Sequence, residues 1–169
     1  MFRQDLSRLG VFHDLSDKQL DLILPLMTLC DFPRQYVIFN QGEPSEYLYI
    51  LRSGEVTIRY KPYDGEPLTV GHILPGGVFG WSAALGRDVY TSSAITATGS
   101  TAYSIKGARL QQLCEQYPDT GVVILECLAG VIAERLRSTH TQIMGILSDS
   151  MDMPTNSARR SDDGDNPQS

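Results

Sequence analysis

Residues 42–56, GEPSEYLYILRSGEV, decide the architecture. Gly42 and Gly54 bracket a short apolar run, Tyr47 to Leu51, of β-forming character. Glycine on either side suits tight corners, where the backbone needs conformations that only glycine reaches cheaply. The same pattern continues outward in both directions. Tyr36-Val37-Ile38-Phe39 precedes Asn40-Gln41-Gly42, and Val56 to Tyr60 leads to Lys61-Pro62-Tyr63-Asp64-Gly65. Leu68 to Leu74, Ser93 to Thr98 and Thr101 to Ile105 are further runs, with Pro75-Gly76-Gly77 after the first. Ser53-Gly54 and Asp64-Gly65 read as hairpin turns. Short strands at this spacing predict a small barrel or sandwich between about Asp31 and Lys106. No internal period marks a repeat array.

Helical patterns flank the strands. Ser16 with Gln19 forms a capping box, and Leu20, Ile23, Leu24 and Met27 recur at helical spacing until Pro25 ends or kinks the helix. After the strands, Ala108 to Gln116 predicts a short helix, and Pro118 suits the first turn of a longer one reaching Leu147. At 1.5 Å per residue that helix is roughly 45 Å long, more than one small barrel can cover. Leu125, Ala129, Ile132, Leu136, Thr139, Ile143 and Ile146 alternate four and three apart, a heptad seam. The 118–147 helix is therefore expected to form a homodimer, the alternative being packing on its own barrel alone. Residues 1–147 are expected to form one domain, and the polar stretch 148–169 a disordered tail.

The chain has 169 residues with 41 % hydrophobic and 20 % charged side chains, a globular composition. No apolar run approaches the roughly 18 residues of a membrane span, and MFRQDLSRLG lacks the apolar core of a secretory signal, so a cytoplasmic address and no membrane partner are expected. Net charge is −6. Residues 151–169 carry four acids and two bases, so the body still holds −4, which argues against nucleic-acid binding by this chain alone. Cys30, Cys114 and Cys127 fit neither a disulfide framework nor a zinc motif, and His13, His72 and His140 are too dispersed for a metal site. No nucleophile elbow, P-loop or carboxylate pair is present. No catalytic residue, no metal ligand and no enzyme activity are expected.

Helix, small β-barrel and long helix, in that order over about residues 10–147, resemble the cyclic-nucleotide-binding domain of the Crp-type regulators. The resemblance implies a mainly β fold with flanking helices: a double-stranded β-helix (a jelly roll like that of cupins) followed by a C-terminal dimer helix. The 42–56 stretch matches the family's glycines and apolar run. Residues 75–96, PGGVFGWSAALGRDVYTSSAIT, look like its phosphate-binding cassette, in which a short helix, a glutamate and an arginine hold the cyclic phosphate and ribose. The resemblance thus places Phe79, Gly80, Trp81, Ser82, Ala83, Tyr90 and Thr91 at the ligand, with Trp81 at the glutamate position and Tyr90 at the arginine position. Residues 132–143, IAERLRSTHTQI, are similar to the dimer helix, which adds Thr139 and His140 on the ligand side.

With glutamate and arginine both replaced, a cyclic nucleotide (cAMP or cGMP) is a possible ligand, and another small effector is favoured. Arg87 is the one nearby candidate for the missing charge, and it reads better as a solvated loop residue. Trp81 and Tyr90 either close the pocket against each other or line one remade for an apolar or aromatic effector. The expectation is a regulatory ligand-sensing module. Its rivals are a Crp-type transcriptional regulator, which would need a DNA-binding segment after Leu147, and a ligand-free dimerisation module.

Overall fold

The computed structural model describes the backbone of residues 2–151, and side chains from Arg3 to Arg137 together with Met144 and Ser148. Helix α1 spans Phe2–Leu9 and α2 spans Asp17–Ile23. The expected capping box opens α2: Ser16 Oγ accepts from the Gln19 N–H, and Gln19 Oε1 accepts from the Ser16 N–H at 3.0 Å. Pro25 lies in a 3-10 turn, Leu24–Leu26, and the chain leaves it directly as strand β1, Met27–Phe32. Met27 is thus a strand residue and not the last helical one, because proline removes the N–H that a continuing helix needs.

The remaining strands are β2 (Val37–Phe39), β3 (Tyr47–Ser53), β4 (Val56–Tyr60), β5 (Leu68–Ile73), β6 (Val78–Phe79), β7 (Ser93–Thr96) and β8 (Ser100–Lys106). They form two four-stranded antiparallel sheets, ordered β1-β8-β3-β6 and β2-β7-β4-β5. Consecutive strands change sheet at every step except β4–β5, the alternation that defines a jelly roll. The double-stranded architecture is as expected, with two sheets in place of a closed barrel.

Asp64-Gly65 connects the paired strands β4 and β5 as a hairpin. Ser53-Gly54 does not make one: β3 and β4 belong to different sheets, and the dipeptide carries the chain round the corner between them. Gly54 has φ 89°, and a Cβ there would sit 2.6 Å from the Gly99 carbonyl oxygen and against Ser100 Oγ. Two independent constraints, conformation and space, require glycine at that corner.

Alternation along β3 sends side chains to two cores. Leu48 and Ile50 join Val78, Tyr103 and Ile105 under the helices, where Leu6, Leu20, Ile23, Leu110, Leu113, Ile124 and Leu128 pack. Leu51 joins Phe39, Val56, Ile58, Ile73, Phe79, Tyr90, Ala94 and Ala102 between the sheets. The two C-terminal helices are α3, Gly107–Gln116, and α4, Pro118–Met151. At 34 residues α4 is about 51 Å long and runs four residues past the expected end. It buries Ile124, Cys127 and Leu128 while Val122, Leu125 and Leu136 stay exposed. Residues 152–169, most of the stretch expected to be a disordered tail, lie outside the described residues.

Candidate functional site

The segment after β6 turns at Gly80, whose φ is 72°. A Cβ at Gly80 would lie 2.9 Å from the Tyr47 carbonyl oxygen, so the backbone passes close to β3 only because glycine is there. Residues 81–86 then form a run of turns in place of a regular short helix. Their bonds are mixed in span: Ala83 N–H to Gly80 O at 3.2 Å, Leu85 N–H to Trp81 O at 3.0 Å and Arg87 N–H to Ser82 O at 3.0 Å. Ser82 and Ala83 are buried, and Ala83 sits against Gly107 at the start of α3.

Tyr90 is buried between the sheets. Its ring stacks on Phe39 with centroids 3.7 Å apart and planes at 13°. Its hydroxyl donates to the Tyr47 carbonyl at 2.7 Å and accepts from the Tyr47 N–H at 3.0 Å. Burial pushes this phenol's pKa up from its ordinary value. Phe79, Tyr49 and Phe39 continue the aromatic packing, Phe79 and Tyr49 at 5.1 Å and 11°.

Trp81 is half-buried on the side facing α4. The Arg135 guanidinium of α4 lies over its ring, 4.8 Å from the centroid. Across from the indole, Arg135 passes over β5 at Gly71, where an added Cβ would come within 3.5 Å of its Nη2. Burial lowers the pKa of this guanidinium.

Gly80, Trp81, Ser82, Tyr90 and Thr91 line one cavity, about 40 Å³ in volume, with Phe39, Ile58, Ser92 and Arg135. Five of the seven cassette residues expected from sequence therefore meet there. Phe79 and Ala83 are packed elsewhere, as core and as support. Trp81 and Tyr90 share the cavity wall, but each has its own partner: Tyr90 stacks on Phe39, and Trp81 lies under Arg135. Arg87 is exposed and lines no part of the cavity. The side chains of Thr139 and His140 lie outside the described residues. A second space of about 330 Å³, walled by Ile58, Tyr60, Val70 and Leu136, adjoins the first through Trp81, Thr91, Ser92 and Arg135. On the other side of α4, a groove of about 550 Å³ runs between the helix, the β5–β6 turn and the loop after α1.

Sequence reading missed Phe39, Ile58, Ser92 and Arg135, and Arg135 is the charged one among them. It lies 45 positions from Tyr90 and in a helix stretch dominated by the heptad seam. The only hint was its place three positions after Ile132 and four before Thr139. Among the described residues no three His, Cys, Asp or Glu side chains form a metal-binding group. His72 instead pairs with Glu55 at 3.0 Å and His13 with Asp14 at 3.2 Å.

The family profile of the cyclic nucleotide-binding domain matches residues 29–117, just over half the chain, from β1 through the cassette to the end of α3. The chain belongs to this family. A CRP-like cAMP-activated global transcriptional regulator of Mycobacterium tuberculosis is 30 % identical over 142 residues, covering 84 % of this chain and 62 % of that protein. The solved Thermus thermophilus catabolite activator protein is 25 % identical with a TM-score of 0.65, over 82 % of this chain and 62 % of that one. A cyclic nucleotide-binding domain from Methylobacillus flagellatus superposes with a TM-score of 0.78 at 18 % identity, over 85 % and 83 % of the two chains, a likeness of fold. The chain thus spans about three fifths of the curated regulator it matches. Its relatives include Crp-like regulators. Helix α4 is the last described element, and no DNA-binding module is evident among the described residues. No described helix is long and apolar enough to cross a membrane.

Proposed function

We propose that this chain is a regulatory ligand-sensing module whose cassette is altered, with Trp81 and Tyr90 at the family's glutamate and arginine positions, and whose effector is a small molecule other than a cyclic nucleotide held in the usual way. The Tyr90 ring carries this reading. Stacked on Phe39 and bonded to both backbone groups of Tyr47, it fills space between the sheets and offers a phosphate no positive charge. A hydrogen bond to a charged group is worth about 1.5–3 kcal/mol, and a cyclic phosphate forgoes it at the Tyr90 position, the cation of the cavity wall being Arg135 of α4. The cavity beside it, about 40 Å³, is far below the 300 Å³ or more typical of small-ligand pockets, and the adjoining space of about 330 Å³ is only at their lower limit.

The exposed stripe of α4, with Val122, Leu125 and Leu136, supports a homodimer through residues 118–147. Residues 1–147 then act as one sensing unit in the cytoplasm, with 148–169 as a polar tail and no catalytic step. The mycobacterial relative's description favours one further reading, a place in transcriptional control, with DNA contacted by other segments or partners.

Thermal unfolding against cAMP, cGMP and a panel of small metabolites tests the proposal. A ligand present at about 100 times its Kd adds about 2.7 kcal/mol of stability, which is roughly 5–10 °C for a domain of this size. Neither cyclic nucleotide should reach that shift, and at least one other compound should. A full shift with cAMP, matched by low-micromolar calorimetry, overturns the altered-cassette reading. A panel with no hit at all favours the ligand-free dimerisation module.

A further inference from the structure

The groove on the other side of α4 shares only Arg135 with the cassette spaces. Its volume, about 550 Å³, is well inside the range of roughly 300–1,000 Å³ for small-ligand pockets, and Val11, Ile73, Leu74, Val78 and Val131 give it apolar walls. Helical periodicity puts Cys127, Gly130, Val131 and Glu134 on the face of α4 turned away from Leu125 and Leu136, so a dimer through that stripe does not cover them. Gly130 lies inside the helix, where glycine is a poor helix former, and a Cβ there would meet nothing within 4 Å. No contact with the described residues requires glycine at this position, and its missing side chain widens the groove.

Three carboxylates line the groove, those of Asp14, Glu126 and Glu134, against one guanidinium, that of Arg135. The guanidinium lies over Trp81, which is not a groove residue. The imidazoles of His13 and His72 are bonded to Asp14 and Glu55, at 3.2 and 3.0 Å. Glu134 pairs with Arg137 at 3.5 Å, whereas Glu126 has no ion-pair partner among the described residues. Burial raises the Cys127 pKa and the charges of Asp14 and Glu126 add to the effect, so both carboxylates lie close to that one sulfur.

We propose that this groove is a second ligand site, which takes a small organic cation with an apolar body, its ammonium beside Asp14 and Glu126 and its hydrocarbon along Val11, Ile73, Leu74 and Val131. A cation answers the excess of carboxylates, and an anion would face all three of them. The apolar walls supply the rest of the affinity by taking hydrocarbon out of water. Such a ligand touches α4, the β5–β6 turn and the loop after α1 at once, so it ties the long helix to the body from the face opposite the dimer stripe.

Calorimetry on the full chain tests this with phenylbutylamine, and with phenylbutanol and phenylbutyrate as its neutral and anionic counterparts. The amine should bind saturably, the alcohol about fivefold more weakly or worse, and the butyrate weakest of the three. Asp14→Asn with Glu126→Gln should weaken the amine by about fivefold or more and leave the alcohol unaltered. Gly130→Leu should fill the groove and weaken amine and alcohol alike by about tenfold or more. It should melt no lower than the parent, because leucine is the better helix former and its Cβ meets open space. Glu66→Gln, exposed between β4 and β5 and outside the groove, should bind the amine as the parent does. Circular dichroism confirms that each variant is folded, and the carboxylate variant decides if Gly130→Leu is not. Equal affinity for amine and alcohol, tighter binding of the butyrate, an unchanged amine affinity in the carboxylate variant or in Gly130→Leu, or no saturable heat with the amine overturns the proposal. The altered-cassette reading stands apart from these results, since it falls only to cyclic-nucleotide binding or to a panel without hits, and any panel compound whose binding Gly130→Leu abolishes is assigned to the groove.

Discussion

Tyr90 joins two strands that do not pair. Its ring lies on Phe39 of β2, and its hydroxyl closes on the N–H and the carbonyl of Tyr47, the first residue of β3. Replacing Tyr90 by phenylalanine keeps the stack and removes both polar contacts at once. The Tyr47 groups lose a partner in a part-buried setting, so the variant should be destabilised by about 1–2 kcal/mol. Urea unfolding should show this as a lower midpoint with an unchanged m-value. A midpoint equal to the parent's would mean that water replaces the phenol without loss. Trp81 behaves differently. Its indole is half-buried and shared between the domain body and α4, so its substitution bears on helix placement more than on the core between the sheets.

Helix α4 is an element with two faces. Ile124, Cys127 and Leu128 are buried against the body, whereas Leu125 is 46 % exposed and Leu136 62 % exposed on another stripe. Leu125→Glu with Leu136→Glu puts like charges on that stripe without touching the buried one. Sedimentation velocity should show the parent as a dimer and the variant as a monomer with intact circular dichroism; a variant that remains dimeric moves the interface elsewhere. The heptad spacing made this stripe legible, as the capping box made the start of α2 legible, because both are patterns within one helix. Ser53-Gly54 was misread for the opposite reason. A turn dipeptide reports local backbone shape and says nothing of which sheet receives the next strand, which long-range pairing of β4 with β7 and β5 decides. The site was half legible on the same grounds. Gly80, Trp81, Ser82, Tyr90 and Thr91 form contiguous runs that could be matched, but Phe39, Ile58 and Arg135 reach the cavity from three other elements. Met27 fell between the two, its helical spacing overridden by Pro25.

Burial of phenols ties the stability of the whole molecule to alkaline pH. Tyr49, Tyr90 and Tyr103 all have pKa values raised in the fold, by burial first; for Tyr103 the Asp5 carboxylate, bonded to its hydroxyl at 3.0 Å, adds to the effect. The folded values exceed the unfolded value of about 10, so the protonated phenols stabilise the fold fully below that pH. As pH rises further, the unfolded chain releases protons that the folded chain retains, and stability falls. Phenolate absorbance of the eight tyrosines and the near-ultraviolet circular dichroism can be followed together as pH rises. The last increments of phenolate absorbance should coincide with unfolding. Ionisation of all eight without unfolding would contradict the burial of these three.

The strand order also leaves four sheet margins, at β1, β6, β2 and β5. Open margins are templates onto which other chains can add, and aggregation begins there when they are long, flat and uncharged. Two of the four cannot serve. Strand β6 has two residues, and β2 has three with a register shift inside it. The longer two are punctuated: Pro33 follows β1, whose Asp31 accepts from Thr101 Oγ1 at 2.8 Å, and Pro67 precedes β5. A fold that never closes its sheets on themselves is in this way protected from stacking into fibrils by the brevity and the prolines of its own borders.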